Sequence, residues 1–235
     1  MNSRRIVIAM LIAALAGCAS RSTEVPTKLV VKKIAILPVG ELANASFENK
    51  NSVSFLFPIA ATGFSLDSRS KQQVFSEKLL AQHMTLGSDL TSYLAQALEK
   101  DGFQVVILAG VPRPVDNPED VDYEKIKIDA DAVLHVYFDD VGLFSGLAST
   151  DYLPRVNVRV RLHSTKRDED LYDETLCYGV DARTGKAWAI AADPRFAYPS
   201  FDNVMARLPE VAAAFATGTQ AIGRRTVVEI KSALR

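Results

Sequence analysis

Pro154-Arg155-Val156-Asn157-Val158-Arg159-Val160-Arg161-Leu162-His163-Ser164 alternates apolar and polar residues from Pro154 to His163. Successive side chains on a strand point to opposite faces, so this stretch reads as a strand with one buried and one wet face. Val156, Val158, Val160 and Leu162 occupy the first face; Arg155, Asn157, Arg159, Arg161 and His163 occupy the second. The polar run Thr165-Lys166-Arg167-Asp168-Glu169-Asp170 then reverses the chain into Leu171–Val180, which predicts an antiparallel hairpin. A register placing Arg161 opposite Glu174 and His163 opposite Tyr172 gives favourable cross-strand pairs. The acidic run from Asp168 to Glu174 reads as a solvated hairpin tip.

Upstream of the hairpin the periodicity changes. Lys33-Ile34-Ala35-Ile36-Leu37-Pro38-Val39 is a short apolar run stopped by proline, hence a buried first strand. Ser88 to Lys100 carries Leu90, Leu94, Ala97 and Leu98 at helical spacing, with Ser88 or Asp89 as the cap and Asp101-Gly102 as the stop. Phe103–Leu108 reads as a second buried strand, so strand, helix and strand form a βαβ unit with a parallel pair. Asp131–Phe138 supplies a third strand. The connection from Gly40 to about Lys71 is long, and long connections of this kind are often functional. Helical turns are expected near Val74–His83 and Tyr123–Ile128. The chain closes with a long helix over about Pro209–Leu234, in which Gly218 and Gly223 each cost about 1 kcal/mol relative to Ala. The expected fold is α+β (an α/β sandwich): a mixed sheet of about five strands with a βαβ unit, an antiparallel hairpin and a long C-terminal helix.

The first residues carry a different message. Two positive charges, Arg4 and Arg5, precede an apolar run from Ile6 to Ala16. That run is far short of the roughly 20 residues needed to span a bilayer. A charged start, a short apolar segment and small residues near a cleavage point define a secretory signal. Its end, Leu15-Ala16-Gly17-Cys18, resembles the lipobox of bacterial lipoproteins at all four positions. The resemblance implies lipid attachment to Cys18 and cleavage before it, with residues 1–17 as signal peptide, 18–32 as lipidated cysteine and short tether, and 33–235 as a single periplasmic domain. Burying acyl CH₂ groups stabilises anchoring by about 0.8 kcal/mol each, so several chains on Cys18 hold the protein permanently. Ala19 and Ser20 follow the cysteine, and the absence of Asp there points, by the same resemblance, to the outer membrane. At about 3.3 Å per residue the tether reaches at most ~45 Å, which keeps the domain near its membrane.

Charge and composition narrow the function classes. The formal charge of −1 becomes about −3 once Arg4 and Arg5 leave, which is no footprint for nucleic acid. With Cys18 committed to lipid, Cys177 has no disulfide partner and reads as a small buried hydrophobe; a catalytic thiol is the alternative. His83, His135 and His163 are scattered and show no metal-ligand spacing; His135 sits in an apolar strand and His163 on the wet face of the hairpin. Asp139-Asp140 reads as a polar strand end, since neighbours on a strand face apart. No nucleophile elbow, phosphate loop or dinucleotide fingerprint is present, so neither catalysis nor a cofactor is expected. Two irregular aromatic segments remain. They contain Phe55, Phe57 and Phe64 in the first, and Trp188, Phe196, Tyr198 and Phe201 in the second. Either they tuck into the core and cover a sheet edge, or they form an apolar patch for a partner, a second subunit or the membrane.

The run Lys33–Val39, the helix end Leu94-Ala95-Gln96-Ala97-Leu98-Glu99-Lys100-Asp101-Gly102-Phe103, the segment Asp129-Ala130-Asp131-Ala132-Val133-Leu134 and the hairpin together resemble a group of periplasmic lipoprotein domains. The group contains the curli secretion lipoprotein, the Pel exopolysaccharide lipoprotein, the lipoprotein activators of peptidoglycan synthases and a family of small outer-membrane lipoproteins. The resemblance implies a non-catalytic scaffold that binds proteins or assembles into rings. A pore of its own is not expected, because the chain lacks two alternating ten-residue membrane hairpins, and the short tether departs from the synthase activators. The expected function is a non-enzymatic, membrane-anchored accessory or scaffold of envelope assembly or export, acting on an envelope protein or a second copy. A periplasmic lipid- or small-ligand-binding lipoprotein is the alternative. An envelope hydrolase is the third reading and requires a pocket that gathers His135 with Asp139 or Asp140.

Overall fold

The computed structural model describes residues 30–49, 61–111, 120–146, 151–180 and 188–235, with backbone alone for 61–68. In chain order the strands are β1 (Lys33–Ile36), β2 (Ser46–Asn49), β3 (Gln104–Ile107), β4 (Ala132–Ser145), β5 (Tyr152–Ser164), β6 (Glu169–Gly179) and β7 (Ala189–Ile190). The helices are α1 (Ala61–Leu80), α2 (Leu86–Lys100), α3 (Phe201–Ala206) and α4 (Leu208–Ala233). The fold is mixed α+β. Its seven-stranded sheet runs β3-β1-β4-β5-β6-β7, with β2 beside β4.

The hairpin is the frame. Val156, Val158, Val160 and Leu162 of β5 are fully buried, and the charged residues between them face the other way. β5 pairs antiparallel with β4 on one edge and with β6 on the other. The turn between β5 and β6 passes through Asp168 at φ 51°, a conformation that Asp tolerates better than most side chains. The register differs from the expected one by a residue: Arg161 lies opposite Asp173, and Glu174 lies opposite Val160. A further shift between Leu162 and His163 brings His163 opposite Asp170, leaving Tyr172 opposite Leu162.

β4 runs well past Phe138. A bulge between Phe138 and Asp140 absorbs Asp139 as an extra residue, and Val141 and Leu143 then return to the buried face. The acidic pair is therefore a bulge inside a strand rather than the end of one. The added length gives the other edge of β4 room for two parallel partners end to end: β1 along Ala132–Leu134 and β2 along Gly142–Ser145. β2 and β7 are the strands beyond the five expected. β1 and β3 are parallel, as the βαβ reading requires. β3 is an edge strand rather than a buried one, with Gln104, Val106 and Ile107 exposed.

Helices α1, α2 and α4 pack on one face of the sheet over a core that includes Ile34, Ile36, Leu134, Val136, Leu94, Leu98, Phe215 and Ile222. α1 has twenty residues where a turn or two was expected; in its part with described side chains only Phe75 and Leu79 are buried, a stripe too thin to read as a helix face. α2 starts two residues before Ser88, and neither Ser88 nor Asp89 is its cap. The Glu41 carboxylate accepts from the Gly87 and Ser88 amides at 2.9 and 2.8 Å. A carboxylate there also complements the positive end of the helix dipole. A Cβ on Gly87 would stand 2.5 Å from the Gly40 carbonyl oxygen, so only glycine lets α2 dock this closely behind β1.

Candidate functional site

The opposite face of the sheet is built from the residues that alternate with the core. At the β1 end it is covered by the segment entering β4, where Val121, Tyr123, Ile126 and Ile128 pack on Ala35, Leu37 and Val133 in a second, small apolar cluster. Beyond that cluster the face becomes polar. Cross-strand register sets its rows: Val133, His163 and Asp170; then His135, Arg161 and Asp173; then Tyr137, Arg159 and Thr175.

The rows are bound to each other by ion pairs. Asp173 is shared: Arg159 Nε reaches one carboxylate oxygen at 2.7 Å and Arg161 Nη2 the other at 3.4 Å. Arg161 Nε lies 3.4 Å from Asp170, which also meets His163 Nδ1 at 2.9 Å. His163 Nε2 is 3.2 Å from Asp168. Tyr123, on the 3₁₀ turn Tyr123–Lys125, stacks flat on His163 with ring centres 4.3 Å apart, and its hydroxyl lies 2.9 Å from His135 Nδ1. Burial pushes the Tyr123 phenol up, so it stays a hydroxyl. Burial also works to raise the Asp173 carboxyl, but the Arg159 hydrogen bond and the two guanidinium charges outweigh it and hold the group below the usual carboxylate range. His163 is thus buried under Tyr123 instead of lying on a solvated face.

A second polar group lies further along the same face, where Arg155 Nη1 meets Asp140 at 2.8 Å and Ser46 donates to the other Asp140 oxygen at 2.8 Å. The Arg155 guanidinium lies 3.2 Å from the centre of the Phe144 ring. His135 and Asp140 therefore have separate partners, Tyr123 for one and Ser46 with Arg155 for the other, and Asp139 is the exposed bulge residue. Among the described residues no group of three or more His, Cys, Asp or Glu is placed to hold a metal ion. Cys177 is a buried cysteine in β6, opposite Asn157.

The aromatic segments separate by residue. Phe55 and Phe57 lie outside the described residues, as do Cys18 and residues 1–29. Phe64 falls within α1, and its side chain also lies outside the description. Phe196 and Tyr198 are core residues, 2 % and 0 % exposed, which corrects their reading as a surface for a partner. Burial follows from the backbone: Tyr198 and Tyr152 exchange both hydrogen bonds, at 2.8 and 3.0 Å, and this pins the segment onto the sheet. Trp188 and Phe201 are partly buried against the same core, Phe201 edge-on to Phe47 at 5.1 Å. The Arg–Asp–His–Tyr rows were missed by sequence reasoning. Their signal was the period-two basic series on β5 facing Asp170 and Asp173, which becomes a network only once the register is known.

No protein-family model matches the chain, and no curated protein matches it. Solved structures with a similar arrangement include the lipoprotein GNA1162 of Neisseria meningitidis, at 16% identity over 66% of this chain and 88% of that one, with a TM-score of 0.31. Another is XCC0632 of Xanthomonas campestris, at 9% identity over 86% and 85%, TM-score 0.39. A third is the hypothetical protein CT253 of Chlamydia trachomatis, at 14% identity over 81% and 99%, TM-score 0.35. The likeness to each is distant.

Proposed function

We propose that the chain is a lipid-anchored, non-catalytic accessory protein of cell-envelope assembly or export. It is held on the outer membrane of a double-membraned bacterium through acylated Cys18 and acts by contact with an envelope protein or a second copy. The observation that carries the protein-contact part is the polar sheet face. Arg159, Arg161 and Asp173 present a fixed, partly exposed pattern of charge whose members are already paired. Paired charges of this kind favour specificity and orientation of a partner, and Arg and Tyr are enriched in such interfaces. General acid–base chemistry asks instead for a group whose pKa lies near the working pH. Asp173 is shifted the other way, toward a permanent anion. Among the described residues no helix is long and apolar enough to cross a membrane; the lipobox-like end Leu15-Ala16-Gly17-Cys18 is the feature that supports membrane attachment.

Two readouts on the full chain in a Gram-negative host test the reading. Alkyne-palmitate should label the wild type and leave Cys18→Ser unlabelled; label on both, or on neither, would remove the anchor. A photo-crosslinking residue at position 159 should give a discrete adduct, with an envelope protein or with a second copy. The same residue at position 78, on the exposed side of α1, should give none. Equal yields at the two positions would remove the face from the proposal.

A further inference from the structure

Residues 19–32 separate Cys18 from β1. A coil of that length averages about 20 Å end to end and reaches ~45 Å at full extension. Several elements meet where this tether joins the sheet. The Lys32 carbonyl accepts from the Gln104 amide at 2.8 Å, so β3 starts beside the tether, just after α2 has ended at Lys100. Lys33 pairs with Asp129 at 3.0 Å, and Asp131 binds the Lys166 ammonium, which adds the entry to β4 and the β5–β6 turn. Lys231 Nζ meets Asp101 at 2.8 Å, which adds the last turns of α4.

Charge and apolar exposure single out this end. Asp101, Asp129 and Asp131 are each tied to a lysine. Lys32, Lys100, Lys127 and Arg235 are exposed with no ion pair among the described residues, and they outnumber Glu99 and Glu124. The opposite end, where α1 hands over to α2, has the reverse balance. There Glu41, Glu77 and Asp89 are exposed with no ion pair among the described residues, and they outnumber Lys78. Val30 and Val228, at 61% and 60%, are the most exposed large apolar side chains among the described residues. Val30 lies at the tether junction, and Val228 lies one turn before Lys231.

We propose that the tether end of the domain rests on the membrane itself, with Lys32, Lys100 and Arg235 on anionic phospholipid headgroups and Val30 and Val228 at the headgroup boundary. The inference rests on the lipid anchor proposed for Cys18, which holds this end closest to the bilayer. Basic side chains gain from a negative surface only within about a Debye length of it, and apolar ones gain by entering the headgroup layer. The acids of the opposite end are repelled, so one orientation is favoured. The strands then stand up from the membrane, and the polar sheet face with Arg159 and Arg161 points sideways toward a partner.

The test uses the full acylated chain in vesicles of phosphatidylethanolamine and phosphatidylglycerol, with a nitroxide quencher on the lipid headgroup. A fluorophore is placed on Ser232→Cys, exposed on the last turn of α4, or on Gln82→Cys, exposed at the opposite end. Cys177 is buried and Cys18 acylated, so both stay out of the labelling. Quenching at 232 should exceed that at 82 by about threefold. Lys32→Gln with Lys100→Gln, or phosphatidylcholine in place of phosphatidylglycerol, should cut it to about half. A chain that carries no acyl group and stays off the vesicles removes the anchor and this orientation with it. An acylated chain seated on the vesicles with equal quenching at the two positions overturns the orientation alone. So does quenching at 232 that neither the lysine changes nor phosphatidylcholine alters.

Discussion

Asp131 does the work of a clamp with one carboxylate. One oxygen accepts from the backbone amides of Lys32 and Lys33 at 2.8 and 2.9 Å, which fixes the entry to β1 beside β4; the other takes the Lys166 ammonium from the hairpin turn. The Lys166 hydrogen bond is the largest cause, and the Lys32 amide the next, of a carboxyl held down at about 2 from its ordinary 3.8. A depressed carboxylate pKa means that the anion is favoured by folding, so its contribution is complete above the unfolded value and is lost as pH falls through about 2. At about 1.36 kcal/mol per pH unit, the fall from 3.8 to about 2 is worth at most about 2.4 kcal/mol. Asp131→Asn should therefore lose about 1–2 kcal/mol in urea unfolding at pH 7. The gap to the wild type should close toward pH 2. A gap that stays constant with pH would place the effect in geometry rather than charge.

At the scale of elements, the two glycines of α4 separate into different cases. Helix propensity favours Ala over Gly by about 1 kcal/mol at both positions. At Gly218, however, a Cβ would stand 2.6 Å from Tyr178 Cδ1 and 3.0 Å from Val156 Cγ2, two side chains of the buried sheet face. Overpacking of this kind costs about 1–3 kcal/mol. At Gly223 a Cβ would stand 2.8 Å from Cδ1 of the partly buried Tyr93 and 3.1 Å from Cδ1 of the buried Leu90, somewhat less tight than at Gly218. Gly218→Ala, whose Cβ would press on two buried side chains of the sheet, should thus lower the thermal midpoint by several degrees and Gly223→Ala by less; a larger loss at Gly223 would contradict the packing. The sequence exposes the helix and both glycines but not the distance of α4 from β5 and β6, because close approach is a property of two elements at once. The same limit explains the other differences. The valines of β5 named the core face unaided. The Arg159–Asp173 pair depended on a register that the bulge at Leu162/His163 shifts, and β2 was hidden because its pairing with Gly142–Ser145 exists only after the bulge at Asp139 lengthens β4. For Phe196 and Tyr198 the sequence left core and surface open, and the choice rests on the backbone pairing of Tyr198 with Tyr152.

At the scale of the whole molecule the sheet has a graded stability. β4 is paired along both edges, by β5 on one and by β1 and β2 on the other, and β5 is paired along both by β4 and β6. β3 and β7 are the ends of the order, β7 only two residues long, and β3 exposes Val106 and Ile107 beside its open edge. Local opening follows contact density, and unpaired edges are also the places where chains add to one another. Amide exchange followed by mass spectrometry should find residues 132–138 and 156–162 slowest. Residues 104–107 and 189–190 should exchange early in dilute protein. Raising the protein concentration separates two architectures that a single exchange profile leaves together. If a second copy docks on the polar face, the Arg159 and Asp173 strands gain little, because their amides are already paired, and the β3 amides stay fast. If copies add edge to edge, the β3 amides slow with concentration while the central strands do not change. The proposed contact through the charged rows requires the first pattern, and slowing confined to residues 104–107 would move the subunit contact to the β3 edge.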